Sequence, residues 1–190
     1  MNVIRRIAAW DKRIFEKMTA EKSNTYKHVT RTDRFMILVA RTSPIVMVAV
    51  ILGIGILDVW NHQFVSALAV PACLAAGFLS RLMSGWISRL LPRDRPFLQF
   101  RKTPLIAHRP EESFPSNHAA GGFALATALI QFHPVYGIVY GVWAIVLAYS
   151  RLHVRLHFFS DVLAGAILGC MIGSFAGRLT FLALGSFAPG

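Results

Sequence analysis

The sequence predicts an all-α integral membrane bundle of about five transmembrane helices, preceded by an amphipathic helix at the interface. Three observations carry this. The 190 residues are 55% hydrophobic and only 15% charged, with a mean hydropathy of +0.52, too apolar for an ordinary soluble domain of this size. Five stretches, at about 36–57, 63–88, 117–132, 135–150 and 160–183, read as spans against the roughly 20 apolar residues that crossing a bilayer takes. Ahead of them, a charged segment sets Ile4, Ile7, Ile14, Phe15 and Met18 at helical spacing.

That first segment, residues 1–34, keeps Arg5, Arg6, Lys12, Arg13 and Lys17 mainly outside the apolar stripe. This is the pattern of a helix lying in the membrane interface, its basic face toward lipid head groups. Docking on the protein's own spans is the alternative, and neither makes it a sixth span. It lacks the apolar run of a cleavable signal peptide, so the first span is expected to direct insertion. Residues 35–190 read as one membrane-embedded domain without repeat or linker. Its third and fourth spans are short and are joined by a tight turn at His133-Pro134. Cys73 and Cys170 sit inside spans with neither Cys-x-x-Cys spacing nor a neighbouring histidine. They suit small core positions rather than a disulfide or a zinc site.

The formal net charge is +11. No recognition helix or aromatic-interleaved basic patch accompanies it, which argues against nucleic acid; anionic lipid head groups are the expected partner. The placement matters more than the total. Basic residues gather before the first span, between Arg89 and Arg109, and at Arg151 and Arg155, while the opposite turns carry Asp58, His62 and His133 and no Lys or Arg. With five spans every basic segment falls on one face, apart from the isolated Arg41, Arg81 and Arg178.

On that same face lie residues suited to phosphoryl transfer. Arg95-Pro96 follows the second span, offering a guanidinium that grips phosphate oxygens in pairs on a stiffened approach. Pro115-Ser116-Asn117-His118 opens the third span, where free backbone N–H groups and the helix dipole make an anion site, and Ser116 adds a hydroxyl. Ser150-Arg151 closes the fourth span with a second guanidinium. His157 and Asp161 stand four residues apart at the start of the fifth, hence on one helix face. An aspartate there can accept the proton of one ring nitrogen and leave the other free to attack. His157 is therefore assigned as nucleophile and Asp161 as its orienter. His118 protonates the departing oxygen, then activates the water that hydrolyses a phosphohistidine. Arg95, Arg151, Ser116 and the backbone around Asn117 hold the transferring charge. The scheme calls for no metal and no cofactor.

These motifs resemble the type 2 phosphatidic acid phosphatase family of membrane lipid phosphatases, whose signatures are Lys-x6-Arg-Pro, Pro-Ser-Gly-His and Ser-Arg-x5-His-x3-Asp. Ser150, Arg151, His157 and Asp161 match the third in full, and the second is matched except for Asn117 in place of glycine. The first is matched only at Arg95 and Pro96: Ser88 stands where the lysine is expected. Arg89 is its neighbour but points about a quarter-turn or more away, so Arg93, Arg101 and Lys102 are further candidates for the missing charge. Short length and Ser113-Phe114-Pro115-Ser116-Asn117-His118 resemble the branch of bacterial undecaprenyl-diphosphatases. The resemblance implies hydrolysis of a polyprenyl diphosphate to the monophosphate in a bacterial cell membrane, recycling the lipid carrier of cell-wall synthesis.

Alternatives accompany this reading. A phosphatase for phosphatidylglycerol phosphate or phosphatidate uses the same chemistry, because the motifs hardly constrain the alcohol; transfer to another acceptor competes with hydrolysis. A catalytically silent scaffold is the reading from another class, supported only by the missing lysine. His153 and Arg155, at variable motif positions, are weighed as substrate contacts, whereas His28, His62, His108 and His133 read as structural. Glu111 and Glu112 read as counter-charges to the basic loop. Enrichment of Lys and Arg on the cytoplasmic side would place the motifs inside the cell, but part of that excess binds phosphate. The site is expected on the extracytoplasmic face. Oligomeric state is left open.

Overall fold

Thr30 opens the first long helix with a reciprocal cap: its hydroxyl accepts from the Asp33 N–H at 3.1 Å while the Asp33 carboxylate accepts from the Thr30 N–H at 3.0 Å. Two of the donors that a helix start leaves unpaired are thereby satisfied. The computed structural model describes residues 3–19, 29–108 and 111–184; His28, Arg109 and residues 20–28 of the N-terminal segment lie outside the described residues. The helices in chain order are α1 (Val3–Thr19), α2 (Arg31–Trp60), α3 (Phe64–Ala67), α4 (Ala69–Leu90), α5 (Pro96–Gln99), α6 (Asn117–Leu129), α7 (Pro134–His153) and α8 (Phe159–Leu184). Among the described residues there is no strand.

Each of the five apolar stretches is helical. Four, Arg31–Trp60, Phe64–Leu90, Pro134–His153 and Phe159–Ala183, are long and apolar enough to cross a membrane. They turn large side chains such as Ile45, Trp60, Val135 and Leu182 outward, as a protein solvated by lipid does. The protein is therefore a multi-pass membrane protein. The third stretch departs from expectation: α6 stops at Leu129 after 13 residues, rising about 20 Å against a hydrocarbon core of roughly 30 Å. It nonetheless joins the two ends of the bundle, from the His118 end to the turn where His133 meets Asp58 at the foot of α2 (2.8 Å).

The reason α6 can be short is that it is wrapped by protein. Ala119, Ala120, Ala124 and Ala128 are buried along it, and α8 lays Gly165, Gly169 and Gly173 against them. A methyl group at those glycines would overlap the carbonyl oxygens of Ser116, Ala120 and Ala124 in turn. Between lipid-solvated helices the drive to associate is close packing, which small residues at four-residue spacing permit. Larger residues fill the other side of α6, where Met47, Ile51, Leu125, Leu129 and Leu147 form the main core with α2 and α7. Tyr140 of α7 donates its hydroxyl to the Met47 carbonyl of α2 at 2.8 Å.

The N-terminal segment forms the helix its spacing predicts, with Arg5, Arg6, Lys12, Arg13 and Lys17 exposed. Its inward side docks on the bundle. Phe15 is buried and stacks on Phe100 at 4.9 Å, and Trp10 meets the edge of Phe159 at 5.6 Å. The centre of that contact is polar: Asp11, only 2% exposed, accepts from Arg93 and from the N–H and hydroxyl of Ser160. Ile7, read as part of the apolar stripe, is 47% exposed, because the stripe that docks is centred on Asp11 and Phe15.

Candidate active site

At the end of the bundle where α4 stops and α6 and α8 begin lies a cavity of about 720 Å³ lined by Arg89, Arg95, Asn117, His118, Arg151 and His157, with Glu111 and Glu112 at its edge. Local sequence explains each placement. A residue before proline is driven to extended backbone, and Arg95 (φ −70°, ψ 152°) so precedes Pro96 at the first position of α5. Its buried guanidinium is anchored by Nε to the Glu111 carbonyl (3.0 Å) and by Nη1 to the Leu156 carbonyl (3.0 Å), leaving Nη1 also 3.2 Å from His157 Nε2. Burial pushes the Arg95 pKa down, and Glu111, Asp161 and Glu112 pull it back up.

His157 comes from the short link between α7 and α8. Arg155 takes φ 67° there, the left-handed region that side chains seldom adopt. The turn buries Val154 and Leu156 on either side of it and is tied down by Arg155 donating to the Thr103 carbonyl at 2.9 Å. The ring of His157 is 4% exposed, with Nδ1 2.8 Å from the Ser113 carbonyl oxygen. A carbonyl can only accept, so Nδ1 carries the proton and Nε2 carries the lone pair. Burial first, then Arg151 and Arg95, hold the imidazole well below its usual pKa, against the opposing pull of the Ser113 hydrogen bond.

The expected direct pairing of Asp161 with His157 is corrected by this geometry. Asp161 Oδ2 stands 3.9 Å from Nδ1, because the carboxylate is occupied: it accepts from the Ser113 hydroxyl, from the Phe158 N–H at 2.8 Å and from Arg93 Nη1 at 2.7 Å. The bond to Phe158, three residues back at the start of α8, is the back-bond of a helix start, which fixes Asp161 against its own helix. Asp161 therefore holds Ser113, and Ser113 holds the imidazole.

The buried polar atoms at this end without a hydrogen-bond partner among the described residues include Ser116 Oγ and Arg151 Nε. Ser116 sits at the N-cap of α6 yet its side chain does not cap the helix, and its N–H donates to the Asp161 carbonyl at 2.9 Å. Arg151 is 3% exposed, with one long contact from Nη1 to the Ala40 carbonyl at 3.4 Å. A buried donor without a partner costs about 1–3 kcal/mol. Arg151 lines the cavity, where a tetrahedral anion with several acceptor oxygens would relieve that cost; Ser116 lies behind Pro115 and Asn117 and does not itself line it.

The other named residues divide. Of the four candidates for the missing charge, Arg89 lines the cavity; Arg93 faces away, bridging Asp11 and Asp161 (both 2.7 Å) and lying over the Phe158 ring at 4.2 Å. Arg101 and Lys102 do not line the cavity. His153 pairs with Asp33 of α2 at 2.7 Å, so it and Arg155 build the scaffold rather than the cavity wall. Sequence reasoning missed Asp11, Ser113 and Ser160, whose roles depend on contacts between distant segments. It also set aside His108 and Arg81, and both line the cavity. For Arg81 a signal was present: it lies seven residues before Ser88, two helical turns along the same face of α4.

A second, apolar cavity of about 350 Å³ adjoins the first and runs down the bundle between α2, α4, α6 and α7, lined by Met47, Leu74, Phe78, Leu125 and Leu147. Arg81, Asn117 and His118 line both cavities.

Residues 63–183 match the PAP2 superfamily. The chain belongs to this superfamily. A relative from Escherichia coli (strain K12), named "Putative undecaprenyl-diphosphatase YbjG", is 29% identical over 131 residues, covering 68% of this chain and 65% of the relative. The chain thus spans just under two thirds of that protein's length. Among solved structures, Aquifex aeolicus LpxE superposes with a TM-score of 0.66 at 19% identity, over 88% of this chain and 94% of that one, a likeness of fold.

Proposed function

We propose that the protein hydrolyses the terminal phosphate of a polyprenyl diphosphate through a phosphohistidine at His157, recycling a lipid carrier of cell-wall synthesis. The observation that carries the mechanism is the Ser113 carbonyl on His157 Nδ1, which leaves Nε2 nucleophilic beside Arg95 and the cavity. Nε2 attacks the terminal phosphorus, a P–N bond forms and the bridging P–O bond breaks. The electron pair leaves on the lipid phosphate, which takes a proton from His118. Water then attacks the phosphohistidine, giving its proton to His118, and the P–N bond breaks to free inorganic phosphate and His157.

Arg95, Arg151, Ser116 and the amides around Asn117 hold the equatorial oxygens, in a site where donors are worth most because water is displaced. Asp161 acts as a positioning residue through Ser113. The apolar groove beside His118 suits a hydrocarbon chain, and the E. coli relative's name supports a diphosphate head. The site is placed on the extracytoplasmic face of a bacterial inner membrane, with the exposed basic side of α1 against anionic lipid head groups.

Phosphate release by the purified protein in detergent with chelator, from undecaprenyl diphosphate, phosphatidylglycerol phosphate and phosphatidate at matched surface concentration, tests the substrate. Preference for the diphosphate supports carrier recycling; preference for a glycerolipid moves the protein to phospholipid synthesis with the same mechanism. Absence of turnover on all three would indicate a silent scaffold. A cysteine placed in the 101–108 loop is expected to react with an impermeant thiol reagent in intact spheroplasts, and labelling only after lysis would reverse the orientation.

A further inference from the structure

Arg81 lies nine residues before the end of α4, about 13 Å down the helix, in a stretch otherwise uncharged around it. An arginine at such depth is costly to insert and is retained where it faces a cavity or a functional path. Arg81 faces both cavities, and its place in their order is informative. Arg95, Arg151 and His157 line only the head-group cavity; Met47, Leu74, Phe78, Leu125 and Leu147 line only the groove; Arg81, Asn117 and His118 line both. A lipid with its chain in the groove and its outer phosphate on His157 passes the throat that Arg81, Asn117 and His118 share.

We propose that Arg81 grips the inner, lipid-attached phosphate of a diphosphate substrate, and so selects lipid diphosphates over lipid phosphomonoesters. The inference rests on the phosphatase reading above. With the outer phosphorus at Nε2, the bridging oxygen lies at His118 and the next anionic group stands at the throat between the two cavities. A monoester places there only its uncharged alcohol, so Arg81 gains nothing from it. For the diphosphate the cation also meets the charge that arrives on the inner phosphate as the bridging P–O bond breaks, an interaction that strengthens toward the transition state. Arg89, one position from the family's missing lysine, lines only the head-group cavity and serves as the internal comparison.

The test is steady-state hydrolysis of undecaprenyl diphosphate and of phosphatidate by wild type, Arg81→Gln, Arg81→Lys and Arg89→Gln in detergent, together with inhibition by inorganic phosphate, which reads the His157 subsite alone. Arg81→Gln is expected to lower kcat/KM for the diphosphate by about 10- to 100-fold, the range of a charge-assisted hydrogen bond, with phosphatidate turnover and phosphate inhibition within about threefold. Arg81→Lys should recover part of the loss, and Arg89→Gln should not discriminate the substrates. Equal losses on both lipids, weakened phosphate inhibition, or an unchanged diphosphate rate in Arg81→Gln would overturn the role of Arg81 while leaving carrier recycling intact. A wild type that cleaves phosphatidate but not the diphosphate would overturn both.

Discussion

Both ends of the bundle are closed by buried aspartates, but the two closures differ in kind. At the far end Asp58 meets one partner across helices, His133, at 2.8 Å. At the site end a like pair, Asp33 with His153 at 2.7 Å, is joined by a network in which Asp11 and Asp161 share Arg93 and between them engage Ser160, Ser113 and the Phe158 N–H. A single pair clamps two helices; a network that reaches from α1 through Arg93 to Ser113 sets the angle of one imidazole. Positioning is concentrated at one end. The far end has only to stay shut, whereas the site end must hold His157 still while leaving Arg95 and Arg151 turned toward the cavity.

Perturbing each closure should therefore give effects of very different size. His157→Ala is expected to lower turnover by about 10⁴-fold or more, as loss of a nucleophile does, while the protein still inserts; activity within a few-fold of wild type in phosphate release would remove it from the mechanism. Asp161→Asn leaves a near-isosteric side chain but loosens Ser113 and unbalances Arg93. A fall in kcat of about 10²- to 10³-fold with KM little changed is expected, smaller than for a carboxylate bonded directly to the imidazole. Asp11→Asn, one step further out, should cost about tenfold, near the worth of one charge-assisted bond. If it matched Asp161→Asn, the network would be acting as one unit. Asp58→Asn at the far end should leave kcat/KM within about twofold and remove about 1 kcal/mol of stability, read as a lower Tm.

A pH series sharpens the contrast. Because burial beside Arg151 and Arg95 holds His157 well below its usual value, the unfolded chain binds a proton there more readily than the folded one. Stability then rises with pH across that window and is lost as pH falls below about 6.5, the unfolded imidazole value. The Tm of wild type should accordingly drop more steeply between pH 7.5 and 5.5 than that of His157→Gln; parallel curves would mean that the folded imidazole titrates normally.

The parts legible in sequence were those written locally. Apolar runs located the helices, Arg95-Pro96 and Pro115-Ser116-Asn117-His118 carried their own backbone logic, and Ser150-Arg151 with His157 marked the cavity. What was illegible depends on distant segments meeting. The spacing of His157 and Asp161 is that of helix neighbours, yet the Ser113 carbonyl, 44 residues upstream, takes the ring nitrogen that spacing alone would assign to Asp161. Asp11 in the sequence is one of two carboxylates in a basic helix; only docking on α8 reveals it as a structural anchor. Arg81 looked isolated because span-by-span reading counts charge by membrane face, while its meaning lies in the groove that four helices enclose. The length of α6 was overread by three residues, since hydropathy does not distinguish a helix facing lipid from one sheathed in protein.

The glycine ladder of α8 bears on when α6 acquires its surroundings during synthesis. α6 is too short to be comfortable alone in a bilayer, and the surface that shelters it belongs to a helix that leaves the ribosome some forty residues later. Until that helix arrives, Asn117 and His118 have no fixed floor and Ser116 has no Asp161 carbonyl to bond. The pocket end of α6 and its partner on α8 are thus completed together, by segments that lie some forty residues apart in the chain.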